Sequence, residues 1–241
     1  MKKLNEKTVL ITGGSRGIGF ATASLFAMDQ YNVAICARNE VELRQAREKI
    51  IKKTGNDNIL ALVGDVSQEV FVKELFLQTH EVFKSIDVCV NNAGCLMLKP
   101  FFQTMLDDWN YVINSNQTSA FLCCKEAFHY MQDPNINSVI VNVSSLSGIR
   151  GVEKFPGMAA YIASKYAVVG LTESLAVEGK PFNISVNCIA PGAVNTRMLS
   201  EQFTSMLTAT KPEEVANIIK FLATKNGDTM INGTIFEYFC N

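Results

Sequence analysis

Tyr161 and Lys165 lie four residues apart in the segment MAAYIASKYAVVGLTESLA, a spacing that puts a phenol and an ammonium on one face of a helix. An ammonium about 4 Å from a phenolate stabilises it by roughly 4 kcal/mol at an effective dielectric near 20. That is at most about two or three units off a phenol pKa near 10. A tyrosine moved toward neutrality in this way can protonate a carbonyl oxygen that is becoming an alkoxide. The same pair also suits an ordinary amphipathic surface, so the chemistry needs support from elsewhere in the chain.

A second chemical feature lies near the start, where KTVLITGGSRGIGFATASLFA joins a short apolar run to a helix-like stretch through a GxxxGxG turn. Glycines there permit positive φ and remove the Cβ atoms that would keep a ligand from the backbone. The helix that follows offers unpaired N–H groups to a pyrophosphate. Glycine-rich turns also serve plain packing, but strand, turn and helix follow here in the order of a dinucleotide-binding unit.

The elements that must position these groups alternate regularly. Apolar strand-like runs recur near 8–12, 32–36, 59–63, 86–91, 138–143, 184–190 and 232–237, separated by amphipathic helical stretches. That alternation predicts an α/β fold with a parallel sheet and helices on both faces, and ligands in such sheets gather beyond the carboxyl ends of the strands. Helix starts are expected after Ser67, ahead of Gln68-Glu69, and at Thr210-Lys211-Pro212-Glu213, which has capping-box spacing with a proline in the first turn.

With 241 residues, 48% of them hydrophobic, and no repeat or linker, the chain is expected to form one domain over 1–241. Its 22 basic and 23 acidic side chains nearly cancel, which leaves no electrostatic footprint for nucleic acid or an anionic membrane. No apolar run approaches a membrane span, the N-terminus enters the first strand too soon for a signal peptide, and a cytoplasmic protein is expected. The seven cysteines lack metal-ligand spacing, so no metal site is expected and buried reduced thiols are. Cys95 is a redox-sensitive alternative, and His80 and His129 read as structural.

TGGSRGIG, Asn91-Asn92-Ala93-Gly94, Ser144-Ser145, YIASK and VNCIAPGAVNTRM follow one another over nearly the whole chain. Together they resemble the short-chain dehydrogenase/reductase family, in its form nearest the 3-oxoacyl-carrier-protein reductases. The resemblance implies a Rossmann-like, doubly wound α/β/α sandwich on a seven-stranded parallel sheet. It also implies a nicotinamide cofactor held by Gly13, Ser15, Arg16, Gly17, Ile18 and Gly19 of the glycine turn. Asp65-Val66 would meet the adenine and Asn92, Ala93 and Gly94 the adenosine ribose, although Asp65 can instead cap the next helix. Pro191, Gly192, Val194 and Thr196 would form the loop over the nicotinamide, with Tyr161 and Lys165 also against the cofactor.

The catalytic set implied is Asn116, Ser145, Tyr161 and Lys165. Ser145 would aim a donor at the developing alkoxide, with Ser144 as runner-up, and Asn116 would hold a water that relays protons toward Lys165. Asn114 and Gln117 are plain polar competitors in the same helix. At the end of the second strand the chain has Ala37-Arg38-Asn39 where an NAD enzyme would place a carboxylate. Arg38, with Arg16, suits a phosphate and points to NADPH; otherwise Arg38 would pair with Glu42, and NAD would bind more weakly.

The expected reaction is hydride transfer between NADPH and a small or medium carbonyl substrate. Two departures bear on that substrate. Only twelve residues separate Met198 from Lys211, a short lid, and Glu153-Lys154-Phe155-Pro156 lengthens the loop before Tyr161. HYMQDPNINS and SLAVEGKPFN, where carrier-protein reductases usually present basic groups, offer Lys180 alone, so reduction of a carrier-borne 3-oxoacyl group is the alternative. A cofactor-binding protein without turnover is a third reading. The apolar C-terminus, with Ile235, Phe236, Tyr238 and Phe239, suggests a strand edge buried against another subunit in a dimer or tetramer.

Overall fold

The computed structural model of the chain describes residues 7–133, 135–203, 208–224 and 231–240. Seven parallel strands form one sheet in the order β3-β2-β1-β4-β5-β6-β7. They are β1 (Thr8–Thr12), β2 (Asn32–Ala37), β3 (Ile59–Val63), β4 (Val88–Asn91), β5 (Ser138–Val143), β6 (Ile184–Pro191) and β7 (Ile235–Tyr238). The chain reverses its direction of travel across the sheet between β1 and β4, so their carboxyl ends open a crevice.

Both faces of the sheet are covered, which is why β1 reads TVLIT with no polar alternation and is buried throughout. Side chains still alternate between faces. Val9 and Ile11 join one core with Phe26, Leu43, Ile50, Val215 and Ile219. Leu10, between them, joins the other with Val72, Leu75, Phe76, Leu122 and Ile140. The first core is supplied by α1 (Gly17–Met28), α2 (Glu40–Thr54) and α8 (Pro212–Thr224), and the second by α3 (Glu69–Phe83), α5 (Ser119–Tyr130) and α6 (Ala159–Glu178). Before α5 come α4 (Leu106–Ile113) and a π-helical turn, Asn114–Thr118. After β6 comes the short α7 (Arg197–Gln202).

Local chemistry sets where these elements start. Asn39 caps α2, its Oδ1 accepting from the Glu42 N–H at 2.9 Å, and the helix stops at Gly55, whose φ of +70° is left-handed. The helix expected after Ser67 begins at Glu69. The capping box expected at Thr210 through Glu213 does not form; one residue later its second half appears alone, the Lys211 N–H donating to Glu214 Oε1 at 2.8 Å. Pro212 takes the first helical position, where its missing N–H leaves no intrahelical bond unmade.

The last strand starts at Ile235 rather than 232. Asn232 is engaged as a turn residue, accepting from the Val186 N–H at 2.9 Å, and Gly233 follows with a φ of +72°. Phe236 and Phe239 stand on the surface of this edge strand and its end. Among the described residues no helix is long and apolar enough to cross a membrane.

Candidate active site

The carboxyl ends of β1 and β4 are tied together first. The Thr12 hydroxyl accepts from the N–H groups of Asn92 and Ala93, each at 3.0 Å, and Asn92 Nδ2 donates back to the Thr12 carbonyl at 2.9 Å. Gly13 (φ +68°) and Gly19 make the approach possible. A methyl group on Gly19 would fall 2.3 Å from the Gly13 carbonyl oxygen, and one on Gly13 would fall 2.9 Å from Asn92 Nδ2. These glycines are therefore required by the way two strand ends and the start of α1 meet.

Beyond this junction lies a cleft of about 370 Å³. Of the residues expected around a cofactor, it is lined by Gly13, Ser15, Arg16, Gly17, Ile18, Arg38, Asp65, Val66, Asn92, Ala93, Gly94 and Thr196. Gly19 lies behind the turn as packing, and Tyr161, Lys165, Pro191, Gly192 and Val194 are not part of the cleft wall. The Gly192 N–H donates to the Tyr238 carbonyl at 2.9 Å, so its backbone is committed to the sheet edge. Thr196 caps α7, its hydroxyl accepting from the Leu199 N–H at 3.4 Å.

The charges of the cleft pair differently from the sequence-based alternative. Arg38 meets Asp65 at 3.8 Å and donates to the Tyr111 hydroxyl at 3.4 Å; it does not reach Glu42. Glu42 instead meets Arg16 at 3.8 Å and Arg197 at 2.8 Å. Asp65 serves two purposes at once, since its Oδ1 also accepts from the Ser67 N–H at 2.9 Å and holds the turn before α3. Glu42, Arg197 and Met198 also line the cleft, though none of them was expected to meet the cofactor. Arg197 lies inside the recognised motif VNCIAPGAVNTRM, but no role was assigned past Thr196.

Tyr161, Lys165, Ser145 and Asn116 converge past Gly94. A methyl group on Gly94 would stand 2.8 Å from Asn116 Oδ1 and 3.6 Å from Lys165 Nζ. Lys165 is buried, donates to the Val143 carbonyl at 2.9 Å, and stands 5.7 Å from the centre of the Tyr161 ring. Burial lowers its pKa to about 8.

The phenol shifts opposite to expectation. Burial raises the Tyr161 pKa; the hydrogen bond with the Ser145 side chain pulls it down, and Cys95 adds a smaller upward push. Helical spacing does bring Lys165 under the ring, but the ammonium is turned to a carbonyl of β5. The acidification expected from the i, i+4 pair is absent from this arrangement, because desolvation outweighs a charge directed elsewhere.

Ser144 and Ser145 separate clearly. Ser144 donates to the Lys165 carbonyl at 2.9 Å and fastens α6 to the end of β5, whereas Ser145 faces Tyr161. Asn116 sits in the π-helical turn with both ends of its amide engaged. It accepts from the Cys95 N–H at 2.7 Å and donates to the Cys95 carbonyl at 3.0 Å and the Ser164 hydroxyl at 2.9 Å. It thereby bridges the loop after β4 to α6. Gly148 brings the turn after Ser145 against the α6 backbone, where a methyl would lie 2.6 Å from the Lys165 carbonyl carbon.

Sequence reasoning passed over two supports. Asn91, Asn142 and Thr172 form a buried chain of hydrogen bonds, both steps 2.9 Å, that runs from β4 through β5 to α6. Lys154, in the added loop segment, donates to the Leu146 and Ile149 carbonyls at 3.3 and 2.5 Å and lies 5.3 Å from the Tyr166 ring centre. The next residue, Phe155, meets Phe203 edge to face at 6.1 Å. The added loop thus braces the Ser145 turn and touches the segment after α7.

Elsewhere, Cys36, Cys89, Cys123, Cys124 and Cys188 are buried, and Cys95 and Cys240 partly so. No group of residues suited to hold a metal ion occurs among the described residues. His80 and His129 pack against Tyr130.

The geometry therefore has a glycine-lined cleft with basic groups along its wall, and behind Gly94 of that wall the Lys165 ammonium with the Tyr161 phenol and Ser145 hydroxyl near it. The residues present fit a dinucleotide: glycines without Cβ atoms border the space where its backbone would pass. Comparison with known proteins agrees. The sequence profile of the short chain dehydrogenase family matches residues 7–207. The chain is 34% identical to 3-oxoacyl-[acyl-carrier-protein] reductase FabG of Chlamydia trachomatis serovar D, over 97% of this chain and 96% of that protein.

Among solved structures, a short chain dehydrogenase from Burkholderia cenocepacia in complex with NADP has a TM-score of 0.88 at 28% identity, covering 99% of this chain and 98% of that one. The 3-ketoacyl-(acyl-carrier-protein) reductase of Brucella melitensis, complexed with NADH, has a TM-score of 0.88 at 26% identity, covering 98% of each chain. Fold, cleft and sequence lead to one assignment: this chain belongs to the short-chain dehydrogenase/reductase family of oxidoreductases.

Proposed function

We propose that the chain works as one NADPH-dependent unit that reduces a carbonyl to an alcohol, with Tyr161 as the proton donor. The observation that carries this reading is that buried Lys165 stands next to Gly94, which lines the dinucleotide cleft, with the Tyr161 ring 5.7 Å from its ammonium and Ser145 beside the phenol. NADPH, when bound, supplies the hydride. Gly13, Ser15, Arg16, Gly17 and Ile18 would hold it at the glycine turn, Asp65 and Val66 beside the adenine, Asn92, Ala93 and Gly94 beside the ribose, and Thr196 at the far side.

Ser145 would orient the substrate oxygen toward the phenol, a donor already in place before charge develops. With its pKa raised by burial, Tyr161 holds its proton at neutral pH and so has one to give, although as a weaker acid than a phenol tuned toward neutrality. Lys165, held by the Val143 carbonyl, would steady the ring and return a proton after transfer. Asn116 would order the path from Lys165 outward by fixing the loop at Cys95.

Two arginines near the end of β2 and no carboxylate at position 38 support NADPH over NADH. The known relatives carry either cofactor, NADP in one and NADH in another. Their names also favour a second reading of the substrate, a 3-oxoacyl group on a carrier protein. A homo-oligomer in the cytoplasm completes the proposal, with the exposed Phe236 and Phe239 at one contact between subunits.

NADPH oxidation is measured across ketones, aldehydes, quinones and β-ketoacyl thioesters on pantetheine and on carrier protein. Turnover of a free ketone is the expected result. Fast, salt-sensitive turnover only on the carrier-borne thioester selects the second reading, and no turnover of any carbonyl refutes reduction.

A further inference from the structure

Arg16 and Arg197 come from distant parts of the chain, one from the glycine turn and one from the first turn of α7, yet both direct guanidinium groups at Glu42. Glu42 is only one third exposed, whereas Arg16 and Arg197 are each about half exposed. All three residues line the cleft on the same side as Arg38 and Asp65. A carboxylate gripped by two planar forks has the charge and spacing that a phosphate would also satisfy, with more oxygens and more charge.

We propose that Arg197 is a third cofactor-selecting arginine, and that Glu42 is an exchangeable counter-anion whose place between Arg16 and Arg197 a phosphate on the adenosine ribose takes. The proposal rests on the NADPH reading above. Ion pairs this exposed are individually weak and screened by salt, so the carboxylate is readily exchanged. A dianion with three acceptor oxygens gains from both forks at once. Removing Glu42 also removes a like charge facing the phosphate.

Because Arg197 opens α7, its contact with the phosphate would hold the start of that helix at the cleft. Its other end is tied independently, by Gln202 Oε1 accepting from the Leu98 N–H at 3.2 Å. The selecting arginine is thus carried on a segment already anchored across the cleft. Glu201 also pairs with Arg197, at 2.5 Å, and gives the arginine a local partner in either arrangement.

Dissociation constants for NADPH and NADH are measured for wild type, Arg197→Gln and Glu42→Gln by quenching or transfer fluorescence at fixed ionic strength. Arg197→Gln is expected to weaken NADPH about fivefold to tenfold and NADH less than about twofold, as for loss of one charge-assisted contact. Glu42→Gln is expected to tighten NADPH about threefold and leave NADH unchanged. The ratio of the two affinities must move in opposite directions in the two variants; any other pattern overturns the proposal. Wild type that prefers NADH refutes the cofactor reading by itself, while the variant ratios still judge Arg197. Wild type that binds neither dinucleotide sinks both.

Discussion

Behind Gly94 of the cleft wall a lone ammonium, Lys165, is 5% exposed and held to one carbonyl oxygen, whereas along the cleft Arg16, Arg38 and Arg197 are 48–58% exposed and shared among carboxylates. Burial gives the first region one geometry and shifts its proton equilibria. Exposure leaves the second region free to exchange partners, with pairs worth about 0–1 kcal/mol each. Chemistry at a fixed atom needs the former, and recognition of a charged ligand that must leave again is served by the latter.

The sharpest way to break this contrast is Tyr161→Phe. It should lower kcat about 10²- to 10⁴-fold while leaving NADPH affinity within a factor of about two, read by turnover and fluorescence titration. Comparable loss of binding would mean that the ring holds cofactor rather than moves a proton.

Gly94→Ala tests how tightly the buried end is packed. The added methyl meets an Asn116 amide that three hydrogen bonds hold in place, so a loss of about 1–3 kcal/mol in stability and a drop in kcat are expected together. Unchanged denaturation and activity would show that Asn116 can yield.

Lys165 links burial to pH. Its folded pKa of about 8 lies below the unfolded value near 10.5, so the unfolded chain binds the extra proton between those values. Wild type should therefore gain stability relative to Lys165→Met as pH rises through that window, by about 3 kcal/mol in all. Below pH 8 the difference between the two proteins should be flat. Parallel urea-denaturation profiles across the window would show that the ammonium is not desolvated. In the same window, reduction by wild type should slow as Lys165 loses its charge, while Tyr161, with its raised pKa, stays protonated.

The smallest effect belongs to the exposed end. Arg38→Ala should change the stability of the protein by less than about 0.5 kcal/mol, because its pair with Asp65 is long and solvated. NADPH binding should still weaken and lose part of its salt dependence. A large stability loss would erase the distinction between the two ends.

Much of this site was legible in the chain. The strands terminate close to where apolar runs stop, and the glycine turn, Asn92-Ala93-Gly94 and the Tyr161–Lys165 spacing all meet at one crevice, since each is a local pattern at a strand end or on a helix face. Other features had no local signal. Glu42 was paired with Arg38 by helical spacing, but α2 turns it toward Arg16 and Arg197, the latter 155 residues away. Lys154 was read only as part of an added loop wall, and its brace on the Leu146 and Ile149 carbonyls depends on how that loop folds back.

By itself the sequence determined the period of its elements, the order of its motifs and the side chains available at each strand end, because these depend on neighbours a few residues apart. Tertiary structure decided that Ser145 rather than Ser144 faces the phenol, that Lys165 turns to Val143, and that the Tyr161 pKa rises. Those outcomes are sums over groups from β4, β5, the π-helical turn and α6. Desolvation is set by everything that surrounds a charge, and no spacing along one helix contains that information.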